Sequence, residues 1–175
     1  MIIQQILQDI AIELSDEFDR NFERQAFFNQ KWQRHNTPIR QGAHILVRTG
    51  ALRASLSHRI AAAQQHGITG SLTFQSTLPY AAIHNQGGHI TVTRKMQRFF
   101  WAQYHQAKGK AKLKTIPPEA IFWRNMALKK VGSKIKIPQR QFIGTHPQVI
   151  KLCEDIISEN LQQHFADNII TNIKP

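Results

Sequence analysis

SLSHRIAAAQQHGITGSLTFQS, running from Ser55 to Ser76, reads as two strands folded back on one turn. In its second half Ile68, Leu72 and Phe74 alternate with Thr69, Ser71, Thr73 and Gln75. That period of two places the apolar side chains on one face of a strand over Ile68–Ser76. Ser55–Ala63 is its natural partner, and Gln64-Gln65-His66-Gly67 supplies the glycine a reversal favours. A hairpin with one apolar face needs something to cover it, so the flanking sequence is read for helices.

The flanks supply them. From residue 2 to 24, Ile3, Ile6, Leu7, Ile10, Leu14 and Phe18 recur at helical spacing, with most of the acidic residues on the other side. A core-covering helix is the leading reading, with a coiled-coil or partner-docking helix as the alternative. Near the other end, Thr145-His146-Pro147-Gln148 fits a capping box, Thr145 capping the amide of Gln148. Val149, Cys153, Ile156, Ile157, Leu161 and Phe165 follow on one helical face, which makes Cys153 a small buried hydrophobe and not a nucleophile. Between Ala26 and Leu46 periodicity is lost, and the stretch reads as an extended loop anchored by Trp32.

Downstream of the hairpin the elements shorten. Pro79–Gln86 reads as a helical turn stopped by Gly87 and Gly88, and His89–Thr93 as a third strand. Met96, Phe99, Phe100 and Tyr104 form an aromatic stripe on one short helix, and Pro118–Leu128 forms another. Lys134–Ile137 alternates lysine with isoleucine, a fourth strand with its lysines outward, which Pro138 ends or confines to an edge. The expected architecture is α+β: about four antiparallel strands packed with long N- and C-terminal helices. Residues 1–175 form a single domain, with 94–131 as a basic helical insertion carrying the two short helices.

Composition sets the class. At 175 residues the chain is long enough for one domain with a real core. A hydrophobic content of 41% excludes wholesale disorder, and a single cysteine excludes a disulfide scaffold. No run approaches the roughly 18 apolar residues of a membrane span. The opening residues carry no early Lys or Arg and are broken by Asp9 and Glu13, unlike a signal peptide. An intracellular, soluble protein is expected.

Charge is the informative number. The chain carries +12, and from Asn85 to Arg140 thirteen Lys and Arg face Glu119 alone. That segment holds the whole excess, and the remainder nets zero. A basic face is therefore expected, with Arg94, Lys95, Arg98, Lys108, Lys110, Lys112, Lys114, Lys129, Lys130, Lys134 and Lys136 as candidate contacts to DNA or an acidic partner. Reactive chemistry has no comparable signal. The nine histidines form no HExxH and pair with no cysteine at zinc spacing, and no GxSxG, GxxxxGK[ST] or GxGxxG pattern occurs. The expectation is a non-enzyme with no catalytic, cofactor-binding or metal-binding residues and no small-molecule substrate.

Three segments carry a resemblance: LVRTGALRASL (Leu46–Leu56), LPYAAIHNQGG (Leu78–Gly88) and IPQRQFIG (Ile137–Gly144), with QKW (Gln30–Trp32) upstream. In this order, between terminal helices, they resemble the phage virion morphogenesis family, which includes the Mu-like morphogenesis protein and tail-completion proteins. The resemblance spans roughly residues 1–95 and 132–168. It marks Arg48, Thr49, Gly50, Leu52, Arg53, Tyr80, Ala81, His84, Gly87, Gly88, Pro138, Arg140 and Phe142 as a structural motif set. Their own chemistry reads as architecture: Thr49 capping a short turn or, alternatively, the paired arginines holding the neighbouring loop, with Tyr80 and Ile83 packing and Phe142 and Ile143 plugging the core. The resemblance implies a structural role in tail completion or head–tail joining, by assembly with other tail or neck proteins and with copies of itself, in a ring-like arrangement. It implies assembly in the host cytoplasm and residence in the tail or neck afterwards. The competing reading is a nucleic-acid-binding module using residues 94–140.

Overall fold

A computed structural model describes residues 2–34, 44–62, 70–109 and 115–173. The chain begins with helix α1 (Ile2–Arg24), whose Ile6, Ile10, Leu14, Phe18 and Phe22 repeat every four residues and are all buried. Strands β1 (Ala26–Phe27) and β2 (Gln30–Lys31) form a tight antiparallel pair where the sequence reads as a loop, and Trp32 after them is buried as expected. A four-residue helix α2 (Ala51–Ala54) leads into the hairpin of β3 (Leu56–Ala62) and β4 (Gly70–Ser76), paired from Leu56↔Ser76 to Ala62↔Gly70. The expected turn, Gln64 to Gly67, lies outside the described residues.

Helix α3 (Ala81–Gln86) turns into β5 (Gly88–Thr91), which pairs antiparallel with the distant β6 (Lys134–Ile137). Between those strands run α4 (Arg94–Lys108) and α5 (Pro118–Ala127), and α6 (Pro147–Ile173) follows. The fold is α+β. Its six strands form three separate two-stranded ribbons among the described residues instead of one four-stranded sheet. The physical reason lies in what each strand covers: β4 turns Leu72 and Phe74 onto α1, whereas β6 half-buries Ile135 and Ile137 and leaves Lys134 and Lys136 in water.

Two apolar clusters hold the molecule. In one, α1 lies between the β3/β4 hairpin and α6, joining Ile10, Leu14 and Phe18 to Phe74 and to Val149, Leu152, Cys153 and Ile156. Phe18 meets Phe74 edge-on at 4.9 Å between ring centroids. The second gathers Phe22, Trp32, Ile45, Leu52, Ala81 and Phe142. The start of α6 corrects the capping-box expectation. Thr145 is exposed, and the ring of buried His146 caps instead, its Nδ1 accepting from Gln148 N at 3.2 Å. His146 also stacks on Phe28 at 4.6 Å, so aromatic packing fixes the capping side chain. Cys153 is half-buried against the first cluster, and desolvation by burial raises its thiol pKa, with a smaller contribution from Glu154.

Candidate functional site

The three segments that carry the resemblance converge on Phe142. Its ring is fully buried against Phe22 at 5.5 Å, with Leu52 and Ala81 in the same cluster. Arg140, also buried, donates its Nε to the Gln33 carbonyl at 3.1 Å and its backbone N–H to the His84 carbonyl at 2.8 Å. Pro138 is half-buried just beyond β6. Gly87 has φ +71°, and a Cβ built there would lie 2.8 Å from the Gln139 backbone nitrogen. At Gly88, φ +141°, the near neighbour is the Ile83 side chain at 2.9 Å. The two glycines let the end of α3 press against the chain leaving β6.

Other members of the set stand apart. Arg48 is exposed, and Thr49 accepts from Ala51 N at a long 3.4 Å while Gly50, φ +70°, opens α2. Tyr80 is 41% exposed, with its ring 6.1 Å from that of His84, so it is less buried than expected. Arg53 reaches α1 instead of a neighbouring loop. It donates to both Asp19 carboxylate oxygens and to Glu23 at 2.7 Å. Those bonds, Asp19 first, raise its pKa above the ordinary guanidinium range.

Asn85, Asn21 and Gln25, which the sequence did not single out, hold backbone through their side-chain amides, and Trp32 joins them. Asn85 Oδ1 accepts from Phe142 N at 2.8 Å and Ile143 N at 3.2 Å, and its Nδ2 donates to the Ile143 carbonyl at 3.1 Å. Asn21, fully buried on α1, donates to the Phe142 carbonyl at 3.3 Å and accepts from Phe28 N at 2.9 Å. Trp32 was expected as an anchor, but its partner was not: Nε1 donates to the Gln141 carbonyl at 2.6 Å. Gln25, at φ +55°, donates to the carbonyls of Phe22 and Ile45 and accepts from Ile45 N. Asparagine inside a helix is the one available signal, since it disfavours that position unless its amide is bonded.

The second feature is the basic arm, an excursion between β5 and β6. Phe100 is buried and stacks on Trp123 of α5 at 5.9 Å, which seals the seam between α4 and α5. Phe99, expected in the same stripe, is half-exposed although its edge meets Trp123. Away from the seam Arg94, Arg98, Trp101, His105 and Lys108 recur at i, i+4, i+7, i+11 and i+14 on α4. Lys95 is exposed beside them, Lys129 and Lys130 follow α5, and Lys134 and Lys136 stand on the outward side of β6. Lys110, Lys112 and Lys114 lie outside the described residues.

A cleft of about 250 Å³ between α1 and β3/β4 brings Ser15, Asp19, Arg53 and His58 together. Ser15 Oγ sits 3.3 Å from His58 Nδ1 but donates to the Ala11 carbonyl at 2.6 Å, which occupies its proton. That geometry bonds the hydroxyl to its own helix and does not activate it. Among the described residues no group of three His, Cys, Asp or Glu could hold a metal ion. No described helix is long and apolar enough to cross a membrane.

Neither the curated proteins nor the solved structures provide a significant match. The family model for the phage virion morphogenesis family matches residues 3–162, a range that takes in both clusters and the arm. On that match across nearly its whole length, the chain belongs to the phage virion morphogenesis family.

Proposed function

We propose that the protein completes the tail or joins it to the head, as a structural part that binds copies of itself and neighbouring virion proteins. The observation that carries this reading is the family match over residues 3–162. The polar groups around Phe142 support it, because Asn21, Asn85 and Arg140 are engaged in holding backbone. The part assembles in the host cytoplasm and then resides in the tail or neck, arranged around the tail axis. Lysates of the encoding phage lacking this gene should hold filled heads and unjoined or unfinished tails, and adding the purified protein should restore joined particles. Normal infectious particles without the gene product would refute the reading.

The outward stripe of α4 favours a second reading, contact with nucleic acid. Three cations and Trp101 along a helix of about 22 Å suit a phosphate backbone with a ring available for stacking. Binding to DNA should weaken with salt at about −0.9 per phosphate contact, and Arg94→Gln with Arg98→Gln should flatten that slope. A slope unaffected by the pair would remove α4 from the interface.

A further inference from the structure

Two exposed apolar stripes remain outside both clusters. On α5 and the turn after it, Ile121, Leu128 and Val131 are 43%, 62% and 51% exposed, with exposed Arg124 among them. On α6, Ile150, Ile157, Leu161 and Phe165 are 50%, 39%, 37% and 61% exposed, with exposed Glu154 among them. The α6 stripe is distinct from the side that carries Val149, Leu152, Cys153 and Ile156 into the core. One helix therefore presents apolar residues in two directions, and among the described residues only one of them is covered. Neither Arg124 nor Glu154 takes an ion-pair partner among the described residues. Exposed apolar residues aligned at helical spacing along one side of an element mark a candidate contact site.

We infer that the α5 stripe of one copy docks on the α6 stripe of another, with Arg124 meeting Glu154. This rests on the assembly reading above. Spacing and charge select the occupant together. Arg124 lies three residues after Ile121 and four before Leu128, while Glu154 lies four after Ile150 and three before Ile157. Laid antiparallel, the stripes correspond position for position: Ile121 over Ile157, Arg124 over Glu154 and Leu128 over Ile150. Apolar residues three and four apart share one helix face, so all three pairs can form at once. The wider charge agrees, since α6 carries Glu154, Asp155, Glu159 and Asp167 against Lys151 alone, and the arm is almost purely basic. Because the surfaces are unlike, each copy has one of each to offer, and successive contacts either close or propagate.

Sedimentation velocity on the purified full chain tests this, with circular dichroism melts confirming that each variant is folded. The wild type should self-associate. Arg124→Glu sets two carboxylates against each other and Glu154→Arg sets two guanidinium groups, so each variant alone should dissociate about tenfold or more readily. An equimolar mixture of the two should re-associate, because each then supplies the charge the other lacks, and the double variant should recover wild-type behaviour. A monomeric wild type, single variants that assemble normally, or a folded mixture that stays apart would each overturn the inference. Loss of DNA binding in Arg124→Glu with self-association unchanged would assign the α5 stripe to nucleic acid and overturn it as well. If the phage still requires the protein for joined particles after any of these results, the assembly reading stands while the contact falls.

Discussion

Asn85 fixes with one amide the chain that carries Phe142 into the core, and its only local signal is an asparagine placed within a helix. Its partners lie 57 and 58 residues away, and those of Asn21 and Trp32 lie 121 and 109 away. Short-range periodicity shows which residues are apolar, so the burial of Phe142 was legible and the polar pins around it were not. Asn85→Ala should lower unfolding stability by about 1–3 kcal/mol, since two backbone N–H groups lose their acceptor. The exposed neighbour in Gln86→Ala should cost less than about 0.5 kcal/mol in the same urea titrations. Equal costs for both would mean that the Asn85 bonds do not hold this segment. The glycines were legible as a pair and separate in the structure. Gly87→Ala sets a methyl against backbone at φ +71° and should destabilise by about 1–3 kcal/mol. Gly88→Ala meets only the flexible end of Ile83, but φ +141° strains it as well, so it too should lower the midpoint in thermal melts.

At the scale of elements, legibility follows length. Helix α1, strands β3, β4 and β6, and helix α5 lie within a residue or two of where periodicity puts them. The pair β1/β2 was missed because strands of two residues contain no period to read. His146 displaced Thr145 as the cap because its ring is held between aromatic neighbours, a tertiary fact. Helix α1 also carries an electrostatic element of its own. Burial alone would raise the Glu17 pKa, but hydrogen bonds from Arg24 and Arg20 outweigh it and hold the carboxyl below its usual range. Its folded pKa is therefore depressed. The stabilisation is present above the unfolded value and is lost as pH falls through the folded one. Glu17→Gln should be less stable than wild type at neutral pH, and the gap should narrow below about pH 4. A gap that persists unchanged in acid would show that Glu17 acts through packing and not through its charge.

For the whole molecule, charge separates the arm from the body. The body is closed around two aromatic-rich clusters, while the arm over residues 93–131 carries +9 of the +12 and Lys134, Lys136 and Arg140 carry the rest. That concentration of charge is legible from counting alone. The exposed stripes on α5 and α6 were not, because apolar residues at helical spacing look the same whether they face a core or a partner. The ribbon β5/β6 stays paired up to the arm, with Val92 N donating to the Ser133 carbonyl at 2.8 Å and Gly132 N to the Val92 carbonyl at 2.9 Å. A two-residue turn replacing residues 93–131 should therefore leave the body folded, with a cooperative melt. The most direct measurement is complementation of the phage lacking this gene by that shortened chain. The full-length chain should restore plaques and the folded, armless chain should not. Plaques at the full-length titre from the armless chain would contradict this.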